Sequence, residues 1–201
     1  MAPVLSYITF TASENFVKER ERYRVAIEEN FDIDGLVFSY HGLQVEEEGA
    51  KRGYILTVWQ SPEKLQAMRD SAGEKFNAIV AELSAGDLQR HAFYPALRLP
   101  EPAFESKTTE LVIAKRKEGV SQDDFKQATF KLGNILHEAG HPSAVAESVD
   151  GSGIILLAVG WDSSTEHWET IKHDPLPTII TELYNLADVD LTHVSLKKRS
   201  A

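Results

Sequence analysis

The chain has 201 residues, 42% of them hydrophobic, with 21 basic against 31 acidic side chains and no cysteine. That is the composition of a folded globular protein, long enough for one large domain or two small ones. A formal charge of −10 argues against a nucleic-acid backbone or an anionic membrane as partner, and the absent thiols exclude disulfides, zinc–thiolate sites, iron–sulfur clusters and cysteine nucleophiles. Residues 4–11 are rich in β-branched and aromatic side chains and read as a strand. Ser13 caps a helix reaching about residue 30, with Phe16, Val17, Tyr23 and Ile27 on its apolar side. Residues 36–45 and 54–59 read as strands joined by an acidic loop over 46–53. Ser61-Pro62-Glu63 starts a helix with proline in its first turn. Gly73 is expected to break that helix before a further piece through Leu83, and a strand over 88–94 closes the first half.

Arg98-Leu99-Pro100-Glu101-Pro102 reads as an extended linker. Beyond it the pattern returns as strand 110–115, helix 121–138 and strands 144–149 and 154–161. Asp150-Gly151-Ser152-Gly153 joins the last two strands as a tight hairpin, its glycines supplying positive φ. A helix from Ser163, interrupted at Asp174-Pro175, runs on to Tyr184, and strand 189–196 ends the pattern. No apolar run reaches the roughly 20 residues that cross a bilayer. The N-terminal Met-Ala-Pro-Val-Leu-Ser-Tyr lacks the basic-then-apolar order of a signal peptide, so the expected location is the cytoplasm.

The two halves echo each other in sequence. Val58-Trp59-Gln60-Ser61-Pro62-Glu63 aligns with Gly160-Trp161-Asp162-Ser163-Ser164-Thr165, and Ala78-Ile79-Val80-Ala81-Glu82-Leu83 with Thr178-Ile179-Ile180-Thr181-Glu182-Leu183. Asp87-Leu88-Gln89-Arg90-His91 aligns with Asp190-Leu191-Thr192-His193, and Trp59 to His91 spans 32 residues, as does Trp161 to His193. The chain is therefore read as α+β, two tandem ferredoxin-like βαββαβ repeats, over residues 1–98 and 107–201, with 99–106 as linker. Each repeat has helices on one sheet face and an apolar opposite face, so the two are expected to form an intramolecular dimeric α/β-barrel.

A strand ending in Trp, then Gln/Asp-Ser, an amphipathic helix and a strand carrying His, resembles the dimeric α/β-barrel superfamily, antibiotic-biosynthesis-monooxygenase type, in a tandem fused form. The resemblance covers the chain from Val4 to Leu196, and its motifs mark a fold rather than a reaction. It implies a small cofactor-independent enzyme, of monooxygenase or cyclase/isomerase type. The substrate would be a hydrophobic aromatic or polyketide-like molecule bound between a sheet and its own helices. Non-catalytic small-molecule-binding or stress-response proteins and haem-binding proteins share the superfamily and are the alternatives. The expected partner is a small hydrophobic molecule, and the expected assembly a monomeric pseudo-dimer or weak homodimer.

His91 is the expected catalytic base, because a strand histidine titrating near neutrality can take a proton from a phenol or carbon acid. The superfamily's polyketide cyclases, which pair His with Tyr, imply the same role for His91 with Tyr94. Alternation puts His91 and Phe93 on one face and Tyr94 on the other, so a direct dyad needs a bulge. Tyr7, Tyr40, His41, Trp59 and Phe93 are expected to shape the pocket, with Trp161 and His193 as second-copy counterparts. Twelve aromatics precede the linker and five follow it, Phe104 aside, which favours the first half as the site. His41 reads either as a group specific to that half or as a solvated residue beside the hairpin. His137-Glu138-Ala139-Gly140-His141 spells His-Glu-x-x-His, but Gly140 and Pro142 stop the helix inside it. No metal is therefore expected, and no cofactor, with haem on His91 or His193 as the alternative. His167 and His173 read as solvated surface.

Overall fold

The structure, a computed structural model, describes residues 2–19 and 34–199. It is α+β, and hydrogen-bonded strand neighbours follow the closed antiparallel barrel order β1-β3-β2-β8-β5-β7-β6-β4. Two compact units divide the chain, an N-terminal one of residues 1–92 with 196–201 and a C-terminal one of residues 93–195. No helix among the described residues is long and apolar enough to cross a membrane.

In the N-terminal unit, β1 (Val4–Ala12) leads to α1 (Glu14–Lys18), whose cap is Ser13 Oγ accepting from Phe16 N at 3.1 Å. The expected continuation of this helix, with Tyr23 and Ile27, lies outside the described residues. β2 (Leu36–Gln44) and β3 (Arg52–Trp59) follow, joined by a short 3-10 turn at Glu46–Glu48. β3 lies between β1 and β2, with Ile8 opposite Ile55 on one side and Tyr40 opposite Leu56 on the other. Next comes α2 (Pro62–Leu83), a single helix that runs straight through Gly73. A Cβ at Gly73 would meet nothing within 4 Å. The expected break fails because one glycine costs a helix only about 1 kcal/mol and the flanking turns pack Leu65, Met68, Val80 and Leu83 into the core. β4 (Ser84–Leu97) begins directly after the helix, four residues before the expected strand.

The C-terminal unit repeats the order. After α3 (Glu101–Phe104) come β5 (Thr108–Arg116), α4 (Gln122–Glu138), β6 (Ser143–Ser148) and β7 (Ile154–Trp161). Then α5 (Ser164–Thr170), α6 (Leu176–Leu186) and β8 (Ala187–Lys198) complete it. The linker is not extended: Pro100 and Pro102 sit at the cap and first turn of α3, where a missing N–H costs nothing, and Phe104 is buried beneath. Just ahead of α3, the Arg98 guanidinium donates to Ser143 O at 2.7 Å, Gly133 O at 2.9 Å and Asn134 Oδ1 at 3.0 Å. That clamp ties the end of β4 to α4 and β6. The hairpin at 150–153 has Gly151 and Gly153 at φ of 68° and 72°, as the sequence predicts.

Alternation sorts each sheet into two faces. On the helix side of the N-terminal sheet lie Ile8, Phe10, Leu43 and Ile55, packed with Phe16 of α1 and with Val80 and Leu83 of α2. On the helix side of the C-terminal sheet lie Val112, Val145, Ile155, Leu157 and Val159, packed with Phe125 and Leu136 of α4 and Ile179 and Leu183 of α6. The other faces are equally dry, with Leu5, Tyr7, Tyr54 and Leu56 in one unit and Leu111, Leu156 and Ala158 in the other all at most 3% exposed.

Gly53 lies opposite Phe10 in the β1–β3 register, and a Cβ placed there would collide with the Phe10 ring. Phe10 is 2% exposed and has nowhere to turn. G53A is expected to destabilise the chain by about 1–3 kcal/mol, read as a lower denaturation midpoint in urea with an unchanged slope.

Candidate functional site

Each unit carries a cleft between its sheet and its helices, and the two differ in content. In the N-terminal unit a cavity of about 300 Å³ opens between β1, β2, β3 and α2. Ile8, Ile55, Trp59, Leu65, Met68 and Phe76 supply its apolar wall, Ser6, Ser39 and Thr57 its polar floor, and Arg69, Arg90 and Arg199 with Glu74 and Asn77 its charged and polar remainder. The Trp59 indole N–H donates to Thr57 Oγ1 at 2.9 Å. Arg90 Nη2 donates to Asn77 Oδ1 at 2.6 Å. Burial, and then the charge of Arg69, lower the Arg90 guanidinium from its ordinary value. Two cations that repel each other beside an apolar wall favour an anion between them.

The corresponding cleft of the C-terminal unit is nearly filled, with a cavity of about 50 Å³ beside Glu110, His167 and Trp168. Three ionisable side chains meet there, Glu110 of β5 at 4% exposure, His167 of α5 at 2% and His193 of β8 at 0%. The β5–β8 register sets Glu110 directly opposite His193. His167 is placed by a capping box at the start of α5. Ser163 Oγ accepts from Glu166 N at 3.1 Å, while Glu166 Oε2 accepts from Asp162 N at 2.6 Å. Trp161 Nε1 donates to Glu110 Oε2 at 2.8 Å. The other carboxylate oxygen, Oε1, lies 3.6 Å from His167 Nε2. His167 Nδ1 and His193 Nε2 share a hydrogen bond of 2.9 Å, the donor set by tautomer. Rings enclose the cluster, with His141 stacked on Trp161 at 4.1 Å and Trp168 against His167 at 4.5 Å.

Of the residues expected from sequence, Trp59 lines the N-terminal cavity, while Trp161 and His193 join the C-terminal cluster. His91 stands on the far face of β4, its ring 6.1 Å from Tyr7, which also faces away from the cavity. The residue before it, Arg90, takes the cleft side. Tyr40 shares the face of Tyr7 and lies under the Lys198 ammonium, 5.8 Å from its ring centre. His41 shares the helix-side face with Ser39 and Ile55 but is not among the cavity's lining, and at 8% exposure it is buried, not solvated. Phe93 is fully buried, whereas Tyr94 is 36% exposed and opposite Glu147 of β6. His167, read from sequence as surface, is a correction of the same kind. Its position four residues after the Ser163 cap matches that of buried Leu65 after the Ser61 cap. His137 and His141 fall on either side of the end of α4 at Glu138, and Gly140 has φ 95°. The helix therefore stops inside the His-Glu-x-x-His pattern, as expected.

The equal Trp-to-His intervals in the two halves mislead by one residue. Counting from the helix–strand junctions, Ser84 corresponds to Ala187, so Arg90 and not His91 holds the place of His193. The β1–β3 and β5–β7 registers likewise equate Ser6 with Glu110. Where the C-terminal cleft has Glu110, His167 and His193, the N-terminal cleft has Ser6, Leu65 and Arg90, all three lining its cavity.

No family model matches the chain, and no curated protein matches it. Solved structures do. An anthrone oxidase-like protein superposes with a TM-score of 0.76 at 10% identity, over 100% of this chain and 94% of that one. A "putative monooxygenase" from Fusobacterium nucleatum gives 0.74 at 9% identity, over 99% and 94%. A variant of chlorite dismutase from Candidatus Nitrospira defluvii gives 0.58 at 10% identity, over 96% and 91%. At such identities the likeness is one of fold.

Removing one member of the buried cluster leaves the others short of a partner. E110A is expected to cost about 3–5 kcal/mol, since it strips the buried Trp161 Nε1 of its acceptor and His167 of its carboxylate neighbour. E110Q, which keeps an oxygen for the indole, should cost visibly less. Equilibrium unfolding of the two variants against the parent chain measures the difference.

Proposed function

We propose that the chain is a tandem fused enzyme of the antibiotic-biosynthesis-monooxygenase type, working on an anionic aromatic or polyketide-like small molecule in the N-terminal cleft. The observation that carries this reading is the pairing, in one cavity, of an aromatic and aliphatic wall with the Arg69 and Arg90 cations. A polycyclic phenol would lay its rings along Trp59, Met68 and Phe76 and turn its oxygen toward the guanidinium groups. An adjacent cation stabilises the phenolate over the phenol, and the electron-rich anion is the form that reacts with dioxygen. Oxidation of a ring methylene to a carbonyl then balances without an external reductant. One oxygen atom enters the carbon framework, the other leaves as water with the two methylene hydrogens, and the substrate supplies the electrons. This chemistry asks the protein for an anion site and a dry wall and needs no cofactor. Arg90 does here what the sequence suggested for His91, by stabilising charge and not by removing a proton.

A second reading, a binding protein without turnover, is favoured by one feature: among the described residues no histidine lines this cavity. An oxygen electrode and a panel of anthrone-like and other polycyclic phenols separate the two. In the first reading R90A lowers kcat/KM by roughly 10- to 100-fold, the worth of a hydrogen bond to a charged group, and M68W, which fills the cavity, abolishes uptake. Saturable binding of the same phenols with no oxygen uptake supports the second. Uptake unchanged in both variants would remove the N-terminal cleft from the reaction.

A further inference from the structure

The cluster of Glu110, His167 and His193 lies in the C-terminal cleft, takes no part in the chemistry proposed for the N-terminal one, and does not depend on it. We propose that these three side chains bind a divalent first-row transition-metal ion, through one carboxylate oxygen and one ring nitrogen from each histidine.

Two imidazoles and one carboxylate are the donor set that such ions prefer, and three protein ligands leave positions open for water or another small ligand. The donor atoms converge, all lying within 4.8 Å of one another. Bonds of about 2.0–2.2 Å in a tetrahedral set put ligand atoms about 3.4 Å apart, so side-chain rotations that move the outermost donors by about 1 Å close the site. The ligands come from two paired strands and from a helix start held by its capping box. Outer partners are in place as well. Trp161 Nε1 occupies Glu110 Oε2 and leaves Oε1 on the side of His167, the kind of support that orients a ligating carboxylate. Trp161 and Trp168 wall the cluster, and the adjoining cavity of about 50 Å³ accommodates a ligand the size of a water or dioxygen.

The rest of the chain supplies contrasts. Ser6, Leu65 and Arg90, in the equivalent places of the N-terminal unit, cannot form such a set, so one ion per chain is expected. His137 and His141 are parted by the end of α4 and serve as the control pair.

The test uses the full chain without a histidine tag, stripped with a chelator and titrated with Zn²⁺ by calorimetry and with Co²⁺ by visible absorption and tryptophan fluorescence. The expected result is one ion per chain, d–d bands from Co²⁺, and quenching of the emission of Trp161 and Trp168. H193A and E110Q should abolish the bands, and H137Q/H141Q should leave stoichiometry and bands unchanged. Should H193A fail to fold, W161F, which removes the outer hydrogen bond and part of the wall but no ligand, is expected to weaken binding about 10- to 100-fold. A parent chain that takes up no Co²⁺ at equimolar concentration overturns the proposal. So does binding that survives in both E110Q and W161F, or that disappears in H137Q/H141Q.

Discussion

A buried indole must hand its N–H to an acceptor, and each unit buries one at the end of a central strand. Trp59 and Trp161 are 1% and 2% exposed, held there by registers that put Val4 opposite the first and Thr108 opposite the second. Trp59 finds its acceptor two residues back on its own strand, in Thr57. The matching residue before Trp161 is Val159, which offers none, and the acceptor arrives instead from the neighbouring strand as the Glu110 carboxylate. A carboxylate taken out of water needs further donors or it raises the energy of the whole fold. His167 and His193 are the groups that surround it.

The two clefts diverge from that point. In the N-terminal unit Ser6 is too short to fill the space, Leu65 covers one wall, and Arg90 engages Asn77. A cavity is left. In the C-terminal unit a carboxylate and two imidazoles occupy the same three places, and the helices pack down on them until room for little more than a water remains. The same helix start, a serine cap followed four residues later by an inward side chain, serves both. The two clefts thus differ at three matching places, Ser6, Leu65 and Arg90 in one and Glu110, His167 and His193 in the other.

Much of the fold was legible because its signals are local. Ser13 caps α1 as the sequence predicts, Ser61, Ser121 and Ser163 cap the helices expected to start at them, and β7 begins at Ile154 and ends at Trp161 as expected. Errors arose where a residue with a strong local preference was overruled by packing. Gly73 could not break α2, and Pro100 with Pro102 started a helical turn in place of an extended linker. β4 begins at Ser84, through Ala85, Gly86 and Asp87, a stretch whose composition reads as a turn. The site was less legible, because which face a strand residue takes depends on where pairing starts. A one-residue difference at the helix–strand junction was enough to exchange Arg90 for His91. His167 looked like surface beside the half-exposed Trp168, and Glu110 was a single carboxylate in an apolar strand with no visible partner.

Stability alone gives no reason for the C-terminal cluster. Replacing a buried ion pair or triad with apolar groups of similar volume is often neutral or stabilising. In the N-terminal unit the same scaffold holds serine and leucine at two of the three positions, with a cavity beside them. Glu110, His167 and His193 carry a desolvation cost that those residues avoid. The metal site proposed above would give that cost a use, with Glu110 Oε2 already held by Trp161 Nε1.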